Sequence, residues 1–340
     1  MNPIHVLITA ASRRVSLVRH FRTALQGTGG RVITVDYNTF SPALYFGDNH
    51  YTVPLVNDPT YFECLDQIIE KEGIRLVIPT IDDELPLWAD RREAYAARGV
   101  TVSISPRETI DTCNDKWRTF EFFHGQGLPF PRTYLPGNLT YQMDYPLFIK
   151  PRGGRGSVNS FIVRNKRELD FFVEYVPDPL VQDYVQGKEF TIDAFFSQTG
   201  ELISYVPRYR LVIRAGVSDR GKTFRHEGLQ ELLLVIGQRL RFTGAVNLQG
   251  KIHRGEVTFF EINPRFSGGI QLSTAAGPNF ASLLLKELNG ESLAPDLGDY
   301  NSNLSMTSYE DSIFIGSNGQ IHFFYLDYQG ILPESTYSRI

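Results

Sequence analysis

The sequence predicts an α/β domain built on a doubly wound parallel sheet, followed by a larger α+β region. Over residues 1–112, short runs of β-branched and aliphatic residues alternate with segments of helical spacing, the pattern of strand–helix–strand units around a buried sheet. From about residue 113 the apolar runs pair off across glycine-bearing turns, as strands of antiparallel hairpins do.

In the first region, IHVLIT (4–9), RVITVD (31–36), LVIPT (76–80) and VTVSI (100–104) read as buried parallel strands. Helical spacing covers 15–25, 61–71 and 84–97. In the second region a helix is expected over about 116–126, stopped by Leu128-Pro-Phe-Pro-Arg132, because proline cannot continue it. PLFIKP (146–151), a Gly/Arg loop (152–157), strand SFIVR (160–164) and a helix near 166–175 follow. Strands at 180–185 and 188–197 come next, the latter partnered by ELISYVPRYR (201–210) across Gln198-Thr-Gly200. A helix over 226–241 leads to the hairpin AVNLQGKI (245–252), Arg254-Gly255, VTFFEIN (257–263). From about 303 a few more strands and a loose tail are expected.

Composition narrows the function classes. The 340 residues carry a net charge of −4, with pI about 6.0, so no overall field draws the chain to nucleic acid. Cys64 and Cys113 match neither a zinc site nor a redox pair and read as buried inert thiols in a reducing compartment. The start, MNPIHVLITAASRR, is too polar for a signal peptide. No apolar run approaches the roughly 20 residues of a membrane span. A cytoplasmic location, with no membrane partner, is expected.

Five clusters carry candidate chemistry. Thr9-Ala-Ala-Ser-Arg-Arg14 lacks the glycines a dinucleotide turn needs, although Asp36 stands where a ribose-binding acid would. Ser12, Arg13 and the helix start either hold an anion or form a capped solvated loop. Pro79-Thr-Ile-Asp-Asp-Glu84 closes a central strand, where ligands collect, and helix capping by Asp82 or Asp83 is the plainer reading. Lys150 with Arg152, Gly153, Gly154, Arg155, Gly156 and Ser157 suits phosphate, since glycines turn N–H groups inward and lysine adds a point charge. A flexible hairpin loop is the alternative. The segment 180–193 breaks at Gly187, so its backbone could meet an adenine edge and Glu189 ribose hydroxyls, or it is an ordinary hairpin. Finally, Asn247 and Gln249 share one strand face, and Glu261 and Asn263 share another. If the hairpin joins those faces, four oxygen-bearing side chains converge, as Mg²⁺ with substrate phosphates requires. Arg265 and the glycines of Pro264-Arg-Phe-Ser-Gly-Gly269 follow, placed to stabilise a transferring phosphoryl group.

Together these residues resemble the ATP-grasp superfamily, particularly its carbamoyl-phosphate-synthase-like branch. The resemblance covers nearly the whole chain, with EINPRFSGG (261–269) its most specific stretch. It implies a pre-ATP-grasp domain over 1–112 and an ATP-grasp domain over 113–300. That domain divides into a small lobe at about 130–185 and a large lobe at about 186–300, and 301–340 form C-terminal strands and tail. It further implies that Lys116 and Lys150 touch ATP phosphate and that the flap 152–157 covers it. Gln182, Asp183, Tyr184 and Val185 would bind adenine, and Glu189 the ribose. Gln249, Glu261 and Asn263 would bind Mg²⁺ (or Mn²⁺), and Arg265 phosphate. Gln249 in place of an acid leaves the number of metals open.

The implied activity is ATP-dependent ligation, in which a carboxylate becomes an acyl phosphate and is captured by an amine, with amino acids or peptides as substrates. Arg208, Arg210, Arg214 and Lys222 around Ala215-Gly216 either bind the acceptor carboxylate or form a solvated loop. A homodimer through the N-terminal domain fits the resemblance. The rival readings are a non-catalytic ATP·Mg-binding regulator of the same fold and, at greater distance, an NAD-dependent dehydrogenase.

Overall fold

A computed structural model describes residues 3–140, 142–154, 156–214, 216–316 and 321–323. Arg155, Ala215 and the predicted tail beyond residue 323 lie outside the described residues.

The first sheet is built from β1 (His5–Ile8), β2 (Val32–Asp36), β3 (Asn49–Thr52), β4 (Ile74–Ile78) and β5 (Thr101–Val102). All are parallel, in the order β3-β2-β1-β4-β5. Helices α1 (Val15–Ala24), α2 (Tyr61–Glu72) and α3 (Leu85–Ala97) connect them. Both faces are buried. Leu7, Ile33, Val35 and Val77 meet Leu65, Ile69 and Trp88 from α2 and α3. On the other face Val6, Ile8 and Ile78 share a core with α1 and with Phe195, Ile203, Phe266, Ile270 and Phe280 from the second half of the chain. This is the two-sided burial that an unbroken aliphatic strand signals. The polar β3, NHYT, carries no such signal and was not anticipated.

Helices α4 (Arg107–Asn114) and α5 (Lys116–Gly125) lead onward. Asp115 caps α5, accepting from Trp117 N at 2.9 Å and Arg118 N at 3.3 Å. Next come β6 (Thr133–Tyr134), β7 (Leu147–Pro151), β8 (Phe161–Val163), α6 (Lys166–Tyr175) and β9 (Pro179–Asp183), whose strands form a sheet in the order β6-β9-β7-β8. The remaining elements are β10 (Lys188–Phe196), β11 (Leu202–Arg214), β12 (Val217–Thr223), α7 (Leu229–Leu240), β13 (Gly244–His253), β14 (Glu256–Asn263), α8 (Ile270–Ala276), α9 (Phe280–Leu288) and β15 (Ser305–Thr307). They build an antiparallel sheet ordered β14-β13-β10-β11-β12-β15. Strand β12, VSDRGKT, and helix α8, IQLSTAA, are too polar or too rich in small residues to stand out in the sequence. Residues 1–307 form one compact unit. In the second unit β16 (Ile313–Ile315) pairs antiparallel with β17 (Ile321–Phe323).

Candidate active site

The hairpin β13–β14 joins the two polar faces that the sequence left to be paired. Asn247 stands opposite Asn263, and Gln249 opposite Glu261. Past that pair the register slips, so Gly250 faces Phe259 and Phe260 is the extra residue of a β-bulge. A bulge re-aims side chains. Here it lets Phe260 and Glu261, adjacent in sequence, both line one cleft. The Phe260 carbonyl accepts from Lys150 Nζ at 3.4 Å. Strict alternation hides this arrangement from sequence reading.

The cleft encloses about 480 Å³. Of the predicted residues, Lys116, Lys150, Gly153, Gly154, Gly156, Ser157, Gln182, Asp183, Tyr184, Val185, Glu189, Arg210, Gln249 and Glu261 line it. Arg152, Asn263 and Arg265 do not. Arg152 instead grips Asp115 with two bonds of 2.9 and 2.7 Å. Asn263 is buried behind Glu261, donating to its Oε1 at 3.0 Å.

Lys150 stands at the end of β7, 5% exposed. Burial lowers its pKa to about 8, with Lys116 pushing the same way and Glu261 opposing. Burial also lowers the pKa of Lys116, against Glu261, Asp82 and Asp115. Lys116 Nζ donates to three flap carbonyls, of Arg152 (3.5 Å), Gly153 (3.2 Å) and Gly154 (2.9 Å). It therefore fastens the loop that follows Lys150. Gly154 and Gly156 take φ of +82° and +71°, a backbone only glycine adopts freely.

Lys251 was not singled out from the sequence. It lies two residues beyond Gln249, hence on the same strand face. Its Nζ donates to Val185 O at 2.9 Å and stands 4.8 Å from the Tyr184 ring. Phe148, Pro177 and Phe260 give this end of the cleft apolar walls. The side chain of Gln182 is turned away, bonded to Thr133 Oγ1 at 2.9 Å.

Four basic residues expected to act together are separated. Arg208 is buried and bonded to Asp193 Oδ2 at 2.8 Å, Ser218 Oγ at 2.8 Å and Ser267 Oγ at 3.1 Å. Asp193 also accepts from Asn247 (3.0 Å) and Ser273 (2.6 Å). A buried guanidinium needs such a counter-ion, so Arg208 is structural. Gly269 makes room for it: a Cβ there would lie 2.8 Å from its Nη1. Arg214 is exposed and lies 3.8 Å from Asp219. Lys222 sits near the end of β12, opposite Tyr209. Among the four, Arg210 alone lines the cleft.

Neither Asp82 nor Asp83 caps α3 through its side chain. Glu84, fully buried, accepts from Thr80 N at 2.7 Å, Ile81 N at 3.3 Å, Tyr61 Oη at 3.0 Å and Trp88 Nε1 at 3.2 Å, which shapes the turn. Asp82 then reaches Arg265 with two bonds of 2.9 and 2.7 Å. Burial alone would lower the Arg265 pKa, but Asp82 and Glu261 hold it above the ordinary value. Arg265 Nη2 also donates to Asn263 Oδ1 at 3.2 Å. The N-terminal sheet thus reaches Asn263 through one arginine. Arg14 adds a second tie, donating to Phe266 O at 3.1 Å and Thr80 O at 2.5 Å. In the loop 9–14, Asp36 accepts from Ser12 N at 2.8 Å. A carboxylate already satisfies the amide that an anion would have needed.

The metal-binding expectation rests on donor chemistry. Gln249, Glu261 and Asn263 offer side-chain oxygens, one carboxylate among them, and the two amide oxygens accept from Arg210 at 2.6 Å and Arg265 at 3.2 Å. No group of three or more His, Cys, Asp or Glu placed to hold a metal occurs among the described residues. Such a set suits a hard cation that takes its remaining ligands from phosphates. Among the described residues no helix is long and apolar enough to cross a membrane.

Comparison with known proteins bears on this arrangement. Residues 6–103 match the family described as PylC-like, N-terminal domain, and residues 175–311 match ATP-grasp in the biosynthetic pathway with Ter operon. The chain is 25% identical over 300 residues to the arginine-specific carbamoyl phosphate synthase large chain of Bacillus subtilis, covering 80% of this chain and 27% of that one. It thus spans about a quarter of the length of the curated relatives it matches. The biotin carboxylase domain of Hydrogenobacter thermophilus 2-oxoglutarate carboxylase, solved with MgADP and bicarbonate, superposes with a TM-score of 0.73 at 17% identity, over 90% of this chain and 74% of that one. L-amino acid ligase from Bacillus licheniformis gives 0.66 at 18% identity, over 85% and 74%. These structural likenesses establish the fold.

Proposed function

We propose, from the match of residues 6–103 to a PylC-like N-terminal domain and of residues 175–311 to an ATP-grasp family, that this chain is an ATP-dependent ligase that activates a small carboxylate as an acyl phosphate and joins it to an amine. The observation that carries this reading is the meeting of Lys116, Lys150, Arg210, Gln249 and Glu261 in one cleft beneath a glycine flap. Tyr184, Val185, Phe148 and Phe260 would receive the adenine and Glu189 the ribose. Gln249, Glu261 and Asn263 would hold Mg²⁺, whose chemistry is to neutralise phosphate charge and orient the oxygens.

The chain's own groups account for the rest. Two anions must meet, so buried cations at the cleft floor oppose their repulsion. The carboxylate oxygen forms a bond to the γ-phosphorus as the bond to ADP breaks. The amine then attacks the acyl carbon, loses a proton and expels phosphate. Lys116, already holding the flap carbonyls, couples closure to phosphate binding, and the closed flap keeps water from the acyl phosphate. A small-molecule carboxylate and an amine, amino acids or short peptides by class, are the substrates. A cytoplasmic enzyme, homodimeric through the N-terminal domain, fits this reading.

The direct test is ADP release with amino acids offered singly and in pairs. Turnover is expected only with two substrates and should vanish in Glu261→Ala. Equal turnover by that variant would remove the metal assignment. ATP binding without ADP release across the whole panel would favour the regulator.

The lysine environment adds a pH prediction. In the free protein Lys150 titrates near 8. Bound phosphate favours the charged form, so the nucleotide complex takes up a proton once the pH exceeds that value. Nucleotide affinity should therefore fall above pH 8, by up to roughly tenfold per unit for one proton. Lys116 titrates in the same sense, because burial weakens its proton too. Lys150→Arg should flatten the profile. Calorimetry in buffers of different ionisation enthalpy would count the proton, and an affinity unchanged from pH 7 to 9.5 contradicts the assignment.

A further inference from the structure

Helix α6 carries a face that its own lobe leaves bare. Leu169 is buried, and Phe172 and Val173 half-buried, in a core with Ile149, Val163 and Val181. At 3.6 residues per turn, Arg167, Phe171 and Glu174 point the opposite way with Tyr175 beside them, and all four are exposed. Phe171 and Tyr175 are 59% and 57% exposed. Their rings stack 5.7 Å apart with planes 12° from parallel. Tyr175 also meets Phe161 edge-on at 6.0 Å, and Phe161 stacks on Phe172 at 4.3 Å. These contacts hold the outer rings in place as one aromatic surface.

The charges on this face run against the helix. An α-helix is partially positive at its N-terminus and negative at its C-terminus, so acids favour the first turn and bases the last. On the bare face of α6, Arg167 lies in the first turn and Glu174 in the last, which holds no base. Among the described residues, both pair with nothing in their own chain. Glu168, the acid of the first turn, is folded back to accept from Arg164 N at 2.8 Å, and Asp170 takes Lys166 at 2.8 Å. In a lone chain the order of Arg167 and Glu174 is unfavourable. It becomes favourable when a second α6 lies antiparallel across the first, because each Arg167 then meets the opposite helix's negative end and its Glu174.

We propose that α6 is a self-association surface, where two copies of this chain pair α6 against α6 about a two-fold axis near Phe171. Phe171 and Tyr175 pack on their counterparts, and Arg167 bonds Glu174 of the second copy on both sides of the axis. A two-fold contact uses one patch twice, so that patch must complement itself. This one does, since its charge changes sign across Phe171. An acidic partner would be repelled by Glu174 and a basic one by Arg167. The helix is only about 15 Å long, short of a standard interface, so the association is weak and concentration-dependent. It lies on the small lobe, apart from the N-terminal domain, and stands independently of the nucleotide reading.

Sedimentation of the full chain over a range of concentrations tests it. The wild-type mass should rise toward twice its low-concentration value. A further contact through the N-terminal domain would set that lower value at two chains and leave the doubling. Arg167→Glu and Glu174→Arg each set like charges against one another, and should raise the half-association concentration by roughly tenfold or more. The double exchange Arg167→Glu/Glu174→Arg restores opposite signs across the axis and should return it to within about threefold of wild type. Damage to the fold would give no such rescue. A wild type of constant mass would overturn the proposal, as would single variants that associate like it or a double exchange as weak as the singles.

Discussion

Lys150→Met is expected to lower kcat/KM for ATP-dependent ligation by roughly 100- to 1000-fold, or about 3–4 kcal/mol of transition-state stabilisation. Lys150 is buried at the end of β7, bonded to the bulged Phe260 carbonyl and within the field of Glu261. A cation so placed is desolvated, so its attraction for phosphate charge is stronger than in water. Methionine keeps the volume and removes the charge, leaving the fold intact. If Lys150 acts on the transferring phosphoryl group, kcat should carry most of the loss. A rise in KM alone would assign it to ground-state binding. Kinetics within threefold of wild type would remove Lys150 from the site. Lysine before a glycine loop was visible in the sequence, but the bulge that supplies its carbonyl partner was not.

Asp193→Asn should destabilise the folded chain by roughly 3–5 kcal/mol, because it strands the buried Arg208 charge. With natural stabilities of about 5–15 kcal/mol, that is a large fraction, readable as a lower urea midpoint. The double replacement Asp193→Leu/Arg208→Leu should lose less than the sum of the two single changes, since the uncompensated charge is gone. Additive losses, or a single variant within 1 kcal/mol of wild type, would show that the pair is not the anchor the geometry describes. In the sequence Arg208 belongs to a basic stretch that reads equally as a site for the acceptor carboxylate or as a solvated loop. It could not reveal that Asp193, fifteen residues earlier and diagonal to it in the β10–β11 register, bonds its guanidinium, with serines from β12 and α8 completing the shell.

What was legible follows from the range of the signal. Strand β1, helix α1 and helix α6 were readable because local apolar periodicity defines them, and their boundaries agree closely with expectation. The β13–β14 hairpin was readable because alternation and a short turn define it, but the pairing of Gln249 with Glu261 was not, since counting back from the turn sets Gln249 against Phe260 and only the bulge shifts the register to Glu261. Polar elements such as β3 and β12 gave no such signal. Contacts between distant segments escaped for another reason: Asp82 and Arg265 are 183 residues apart, and the same Asp82 satisfies a capping pattern locally. Lys251 was within reach of sequence reasoning, since extending the face of Gln249 by one step finds it.

The grip of Asp82 on Arg265, with Arg14 reaching the backbone beside it, bears on how such a protein can be re-engineered. Swapping the front half for that of a distant cousin would change the anion that steadies Arg265, and with it the amide of Asn263. A chimera joined near residue 112 should therefore need both members of the pair inherited from one parent. Recombination that respects this linkage can redesign the loops of the front half without disturbing the phosphate end.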